Sequence, residues 1–333
     1  MAKIQSVGVV GAGAWGTALA QTARLAGRDV ALWAREAEVA DEINSAHRNS
    51  IFLPGVALDA GLVATSDLAE IAERDAILLV PPAQHVRATA MALAPLLVPG
   101  TPVVICAKGL EQASGKLMGE VLSETLSDAV PAALSGPSFA ADVARGLPAA
   151  LTLATEDAEL GQHLAEALGY RNFRLYWSDD VTGVQLGGAL KNVLAIAAGI
   201  VDGKGLGASA HAALVTRGFA EMRRLGQVLG ARPETLSGLS GLGDLVLTCG
   251  SVQSRNMSLG RALGQGQKLD DVLGQRRSVA EGVYTAAAVV HLAGEHGVEM
   301  PIASAVHAIV TGALDVDTAI EALLSRPFRA EGI

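Results

Sequence analysis

Ile4 to Val10 (IQSVGVV) is an apolar run of strand length. It passes without a spacer into Gly11-Ala-Gly-Ala-Trp-Gly16, then into Thr17 to Ala26, a run of good helix formers. A G-x-G-x-x-G pattern set between a buried strand and a helix constrains the fold more than any other feature of the chain. Gly11 permits the tight turn, Gly13 lets the backbone approach a pyrophosphate, and Gly16 lets helix and strand pack closely. The helix N-terminus adds free N–H groups and a partial positive charge. In this context the motif predicts a dinucleotide-binding unit.

The N-terminal half continues as alternating strands and helices. Asp29 to Trp33 (DVALW) reads as the second strand. At its end, where NAD binders place an acid for the ribose 2′-hydroxyl, stands Arg35, followed by Glu36. An arginine suits a 2′-phosphate, so NADP(H) is the expected cofactor, with NAD(H) left open. The competing reading is a solvent-facing arginine. Asp75 to Val80 is the third strand-like run, stopped by Pro81-Pro82, and His85 borders the same cleft. Val103 to Ala107 is another strand and ends in Lys108-Gly109. Ligands of open α/β sheets sit beyond the carboxyl ends of the strands, which makes Lys108 a candidate charge at the reacting centre. Ala132 to Ser135 leads into Gly136-Pro-Ser-Phe-Ala140, where Gly136 and Ser138 offer N–H and hydroxyl donors. Runs at 149–154 and 173–177 extend the sheet. This alternation predicts a doubly wound, Rossmann-like, mostly parallel sheet.

From Ser178-Asp179-Asp180 the pattern changes to helical runs near 180–202, 208–230, 254–264, 280–296, 301–312 and 315–324. The expectation is an α/β chain of two domains: residues 1–178 bind the dinucleotide, and 179–333 form an all-α substrate-binding domain. Lys191 lies deep in the first of these runs, with Gly187, Gly188, Leu194 and Ala195 as its neighbours at helical spacing. An ammonium held against apolar surface loses hydration, and its pKa falls toward the range useful for proton transfer. Gly187 and Gly188 leave room for a backbone or a ligand. The plainer alternative is a lysine whose stem packs while its head reaches water. Gly241-Leu-Gly-Asp244 presents an acid flanked by glycines. Ser254-Arg255-Asn256 places a cap, a cationic fork and an amide at a helix start, which suits a phosphate. Glu281 opens another helix, where a glutamate often serves only the dipole. His211, His291 and His307 have no partners at metal-ligand spacing, so no metal is expected.

Half of the residues are apolar and 18% are charged, with a net charge of −9 and no dense Lys/Arg cluster. That argues against nucleic acid and membrane-surface partners and toward a small-molecule substrate. Cys106 and Cys249 show no metal spacing and suggest a reducing compartment. Met91 to Ala107 is broken by Pro95, Pro99 and Pro102, so it reads as helix end, turn and strand, not as a membrane span. A cytoplasmic protein without stable membrane insertion is expected.

With these residues in view, the chain resembles the bacterial-type NAD(P)-dependent glycerol-3-phosphate dehydrogenases. The resemblance is carried by GAGAWGTALA near the start, LPG at 53–55, AKGLE at 107–111 and SGPSFA at 135–140. It continues through GALKNVLAIAAGIVDGKGLG at 188–207, LSGLGDLVLTC at 239–249, QSRN at 253–256 and EGVYTA at 281–286. It implies interconversion of dihydroxyacetone phosphate and sn-glycerol 3-phosphate, in support of phospholipid synthesis, by a cytoplasmic homodimer. By motif position it makes Lys191 the proton acceptor and brings Lys108 to both cofactor and substrate. Gly136, Ser138, Asp244, Ser254, Arg255 and Asn256 fall at substrate positions. Gly11, Gly13, Ala14, Trp15, Gly16, Arg35, Ala140, Val279 and Glu281 fall at cofactor positions, and Arg255 reaches both ligands. Ala14 departs from relatives that carry serine there, which removes a side-chain contact but not a backbone one. Trp15 replaces a smaller aromatic. In this reading Lys108 lowers the Lys191 pKa by like-charge repulsion, and Asp244 orients Lys191 or binds substrate hydroxyls. Two rivals are a 3-hydroxyacid or 6-phosphogluconate-type dehydrogenase and a non-catalytic nicotinamide sensor.

Overall fold

The computed structural model describes residues 3–274, 280–327 and 330. Eight strands form one sheet: β1 (Ser6–Val10), β2 (Asp29–Trp33), β3 (Val63–Thr65), β4 (Ala76–Leu79), β5 (Pro102–Ile105), β6 (Val130–Ser135), β7 (Ala149–Ala154) and β8 (Phe173–Ser178). Their order is β3-β2-β1-β4-β5-β6-β7-β8. All neighbours run parallel except β6 and β7, so the β7–β8 pair is a reversed extension of a doubly wound sheet. The order reverses direction between β1 and β4, which is where such sheets open a crevice at their carboxyl ends.

Both faces of the sheet are buried under helices, which is why its strands read as continuous apolar runs. Along β4 the alternation is explicit. Ala76 and Leu78 enter one core, and Ile77 and Leu79 enter the core on the opposite face. The strand-like run at Asp75 to Val80 is thus the fourth strand, not the third. The actual third, β3, is only three residues long and lies at the sheet edge. Its VAT sequence is too short to carry a period-two signal.

Among the described residues no strand follows Ser178. The helix Val181–Gly203 starts there, capped by Asp180, whose carboxylate accepts from the Gly183 N–H. It is long and apolar enough to cross a membrane, but 94% of its most apolar stretch is buried inside the protein, as expected of a core helix. Around it pack Ala208–Val228, Asp244–Cys249, Arg255–Gly264, Glu281–Glu295 and Pro301–Val310. Short helices at Pro233–Ser237, Asp244–Cys249 and Leu269–Gly274, and a π-turn at Leu239–Gly243, were not evident from periodicity. Each is too short to repeat an apolar face.

The central helix and the helix Arg255–Gly264 approach closely at glycines. A Cβ on Gly199 would lie 2.0 Å from the Met257 carbonyl oxygen, and one on Gly260 would lie 1.9 Å from the Ile196 carbonyl oxygen. The central helix and Arg255–Gly264 therefore touch backbone to backbone. This approach brings the start of the second helix, with Arg255 and Asn256, toward the middle of the first, with Lys191.

Candidate active site

The glycine loop occupies the crevice end of β1. Gly11 has φ +116°, a conformation that favours glycine, and its N–H donates to the Trp33 carbonyl at 3.1 Å. A Cβ on Gly16 would lie 1.8 Å from the Gly11 carbonyl oxygen, so the loop's own backbone fills that space. At Gly13 a Cβ would meet nothing within 4 Å. The loop is thus packed on its protein side and open above its second glycine, at the start of the helix Ala14–Leu25. That helix has no acid in its first turn and no side-chain cap, which leaves its positive end available to an anion. Trp15 follows, with its indole N–H buried and without a hydrogen-bond partner. The Lys108 ammonium stands 5.9 Å from the Trp15 ring centroid. These features fit a dinucleotide.

Lys108 leaves the carboxyl end of β5, and Lys191 projects from the central helix. Both end on one carboxylate. Lys108 Nζ donates to Asp244 Oδ2 at 2.7 Å, and Lys191 Nζ donates to Asp244 Oδ1 at 2.7 Å. The Asp244 side chain is fully buried, and the two lysine side chains are 14% and 9% exposed. Lys191 also donates to Thr248 Oγ1 at 2.9 Å, and Lys108 to the Gly136 carbonyl at 2.9 Å. An ammonium has three donors. Each lysine therefore keeps one donor that these bonds do not use.

On its own helix Lys191 has only apolar neighbours, but a charge reaches it from another helix. The space beside Gly187 and Gly188 is also filled by protein. A Cβ on Gly187 would meet the Ser240 carbonyl oxygen at 2.6 Å, and one on Gly188 would meet Ser135 Oγ at 2.6 Å. Burial remains the dominant influence on Lys191 and brings its pKa from 10.5 to about 8. Asp244 opposes that shift, and Lys108 adds to it.

Other predicted residues fall around this pair. Gly136 contributes its carbonyl, not its N–H, to the contacts seen: Lys108 and the Ser138 hydroxyl both donate to it. Ser254 caps its helix by accepting from the Met257 N–H at 3.2 Å. The buried Asn256 amide is largely committed to protein. Its Nδ2 donates to Asn192 Oδ1 at 2.9 Å, and its Oδ1 accepts from the Gly282 N–H at 3.0 Å. Asn192 in turn donates to the Lys108 carbonyl at 2.9 Å. A relay of amides thus joins three helices to the loop that carries Lys108. Arg255 is solvent-accessible along one side, yet enough protein surrounds its guanidinium that burial lowers its pKa, with Glu281 opposing. Glu281 is not merely a dipole partner. It crosses to the sheet unit, where its Oε1 accepts from the Ala83 N–H at 3.1 Å, and burial raises its pKa. Its Oε2 is buried without a hydrogen-bond partner, as is the Thr285 hydroxyl one turn on. Ala140 begins the helix Ala140–Ala144, which packs on Ala14–Leu25. Arg35 stands apart from the lysine pair at the end of β2, 74% exposed, with Nη2 2.6 Å from Glu36 Oε1. Val279 lies outside the described residues.

Sequence reading missed Thr248 as a site residue. Its position four residues after Asp244, on the same helix face, was the available signal. Among the described residues no His/Cys/Asp/Glu group could hold a metal ion.

The chain matches the sequence profile described as NAD-dependent glycerol-3-phosphate dehydrogenase N-terminus over residues 6–161, and its C-terminus counterpart over residues 180–321. It is 62% identical over 327 residues to the glycerol-3-phosphate dehydrogenase (NAD(P)+) of Parvibaculum lavamentivorans, covering 98% of each chain. The protein of the same name from Maricaulis maris is 59% identical over 331 residues, with 99% of each chain covered. The crystal structure of glycerol-3-phosphate dehydrogenase from Coxiella burnetii superposes with a TM-score of 0.93 at 40% identity, over 97% of this chain and 99% of that one. The likeness runs the length of the protein, and the chain belongs to the NAD-dependent glycerol-3-phosphate dehydrogenase family.

Proposed function

We propose that the protein interconverts dihydroxyacetone phosphate and sn-glycerol 3-phosphate with NADP(H) or NAD(H). Residues 1–178 serve the cofactor in this reading, and 179–333 serve the substrate. The observation that carries it is the convergence of Lys108 and Lys191 on Asp244, beside the glycine loop and Trp15. The test is a spectrophotometric assay with dihydroxyacetone phosphate and NADPH or NADH. Failure to consume either cofactor would reject the activity.

Gly11, Gly13, Ala14, Trp15 and Gly16 would hold the pyrophosphate side of the cofactor, with Ala140 and Glu281 nearer its nicotinamide; the family resemblance alone makes Val279 a cofactor residue. When bound, the nicotinamide supplies the hydride chemistry. The chain's own residues handle the proton and the charge. In the oxidation, neutral Lys191 takes the proton of the C2 hydroxyl; in the reduction, its ammonium returns one to the carbonyl oxygen. Asp244 and Thr248 fix the amine, so its remaining position is directed rather than free to rotate. Lys108, bonded to the other oxygen of Asp244, would stabilise negative charge developing on the same substrate oxygen. Ser138 and the Gly136 backbone border this centre.

Arg255, with Ser254 and Asn256, would seat the phosphate at a helix N-terminus. Losing a hydrogen bond to a charged group costs about 1.5–3 kcal/mol. Arg255→Ala should therefore raise the KM for dihydroxyacetone phosphate by about 10–100-fold, with a smaller change in kcat. An unchanged KM would put the phosphate elsewhere. Arg35→Asp replaces a cation by an anion where a 2′-phosphate would lie. NADPH affinity should fall by about 10–100-fold more than NADH affinity, and equal losses would remove Arg35 from that role.

Family resemblance supports a cytoplasmic homodimer that supplies glycerol 3-phosphate for phospholipid synthesis. The two buried, free cysteines agree with a reducing compartment.

A further inference from the structure

The LPG motif at 53–55 has no task in the site described above. The segment that leads into it is tied to the glycine loop by one buried side chain, Asn49. Its Nδ2 donates to the Ala12 carbonyl at 2.9 Å and to Thr17 Oγ1 at 2.9 Å. Its Oδ1 accepts from the Phe52 N–H at 3.0 Å, and its carbonyl accepts from the Leu53 N–H at 2.9 Å. Thr17 Oγ1 donates to the same Ala12 carbonyl at 3.2 Å. Asn49 and Thr17 are both 0% exposed. The middle of the G-x-G turn is therefore held from below by two side chains, one of them 37 residues away in sequence.

The consequence follows from peptide geometry. A trans peptide is planar, and its C=O and N–H point in opposite directions; among the described residues no peptide is cis. Two donors draw the Ala12 carbonyl into the protein, so the N–H of the same peptide, that of Gly13, faces the other way. Gly13 itself is partly exposed, and a Cβ built on it would meet nothing within 4 Å, so protein does not crowd the residue. On the Gly13 side of this peptide no Cβ restricts the rotation, so the two donors supply a restraint that the residue itself lacks.

We propose that Asn49 is a positioning residue for the dinucleotide pyrophosphate: by clamping the Ala12 carbonyl it holds the Gly13 N–H in its phosphate-facing orientation before the cofactor arrives. This rests on the reading of the glycine loop as the dinucleotide site. Preorganising a donor lowers the ordering cost at binding, so its loss appears as weaker affinity. The loss should be common to every ligand that carries the pyrophosphate, with or without a nicotinamide.

The test titrates wild type and Asn49→Ala with NADPH, NADH and ADP-ribose, and measures kcat and the KM for dihydroxyacetone phosphate at high cofactor. The expected result is a loss of about 10–100-fold in affinity for all three ligands, the range for removing a partner from a buried polar group. The substrate KM should stay within about twofold, and kcat should fall far less than affinity. A lower melting temperature with unchanged affinities would make Asn49 a structural clamp only and overturn the proposal. A loss confined to NADPH and NADH, sparing ADP-ribose, would also overturn it, because the effect would then lie at the nicotinamide. Should Asn49→Ala fail to fold, Thr17→Val removes the other donor at near-constant shape, and unchanged affinities there overturn the proposal as well. Wild-type protein that binds none of the three would remove the dinucleotide reading and this proposal together. Wild-type binding matched by the variants removes the proposal alone.

Discussion

Lys191→Ala should lower kcat by about 10²–10⁴-fold, the usual worth of a positioned general acid–base, while cofactor affinity and the fold survive. The fold should survive because Asp244 keeps Lys108 as its counter-ion at 2.7 Å, so no buried charge is orphaned. The wild-type pH profile carries the same claim. Burial holds the Lys191 pKa near 8, below the ordinary 10.5. Oxidation needs the neutral amine, so its rate should rise as pH climbs through about 8. Reduction needs the ammonium, so its rate should fall over the same interval. In the alanine variant both inflections should disappear. Pre-steady-state or steady-state pH–rate profiles in each direction check this, and a kcat close to wild type would take the proton from Lys191.

Asp244→Asn should damage both stability and turnover. The carboxylate is fully buried and neutralises one of two ammonium groups that share it. Removing one partner of a buried ion pair costs about 3–5 kcal/mol, because the remaining charge has lost its hydration without compensation. An amide keeps an acceptor and the shape, so the lower end of that range applies. The protein can relieve the cost by releasing a proton, and Lys191, the more buried lysine, is the group expected to lose it. Its pKa should then fall further, which would withdraw the ammonium that reduction requires. Dihydroxyacetone phosphate reduction should therefore drop by at least about 10²-fold near neutral pH, with the oxidation limb shifted to lower pH. Urea denaturation and pH–rate profiles measure the two effects separately. Wild-type denaturation midpoints would show that the ion triad contributes nothing to folding.

The Lys191 and Asp244 variants also separate what a lysine on an apolar helix face can mean. The helical spacing of Gly187, Gly188, Leu194 and Ala195 around Lys191 gave the burial, and burial alone pointed to a lowered pKa. That spacing did not name the partner; the family resemblance did, giving Asp244 either to Lys191 or to substrate hydroxyls. Asp244 lies 53 residues away, after two helices and a π-turn, and neither periodicity nor motif spacing measures distance across such a gap. Thr248 stands one helical turn from Asp244 and bonds it, and that spacing marks it as a site residue only once Asp244 is seen to hold Lys191. Asn256 shows the reverse case. In the sequence it reads as a phosphate donor beside Arg255. In the fold its amide spends most of its capacity joining Asn192 to Gly282.

Local order decided the parts of this protein that close on themselves. The glycine loop needs a strand before it and a helix after it, and all three are adjacent in the chain, so the dinucleotide unit was legible from thirteen consecutive residues of strand and loop and the helix that continues them. Apolar runs of strand length between helices led to a parallel, doubly wound sheet, because only burial on both faces makes such runs tolerable. The exceptions were short: β3, three residues at an edge, and small helices with no room to repeat a face. The reacting centre was settled only by tertiary packing. Glycines at 199 and 260 let two helix backbones touch, and packing brings Lys108, Lys191 and Thr248, from three separate segments counting that of Asp244, to one carboxylate. Hydrogen bonds and ion pairs depend on positions to within a few tenths of an ångström, and such precision arises when the helices close on one another, not while the chain is read in line.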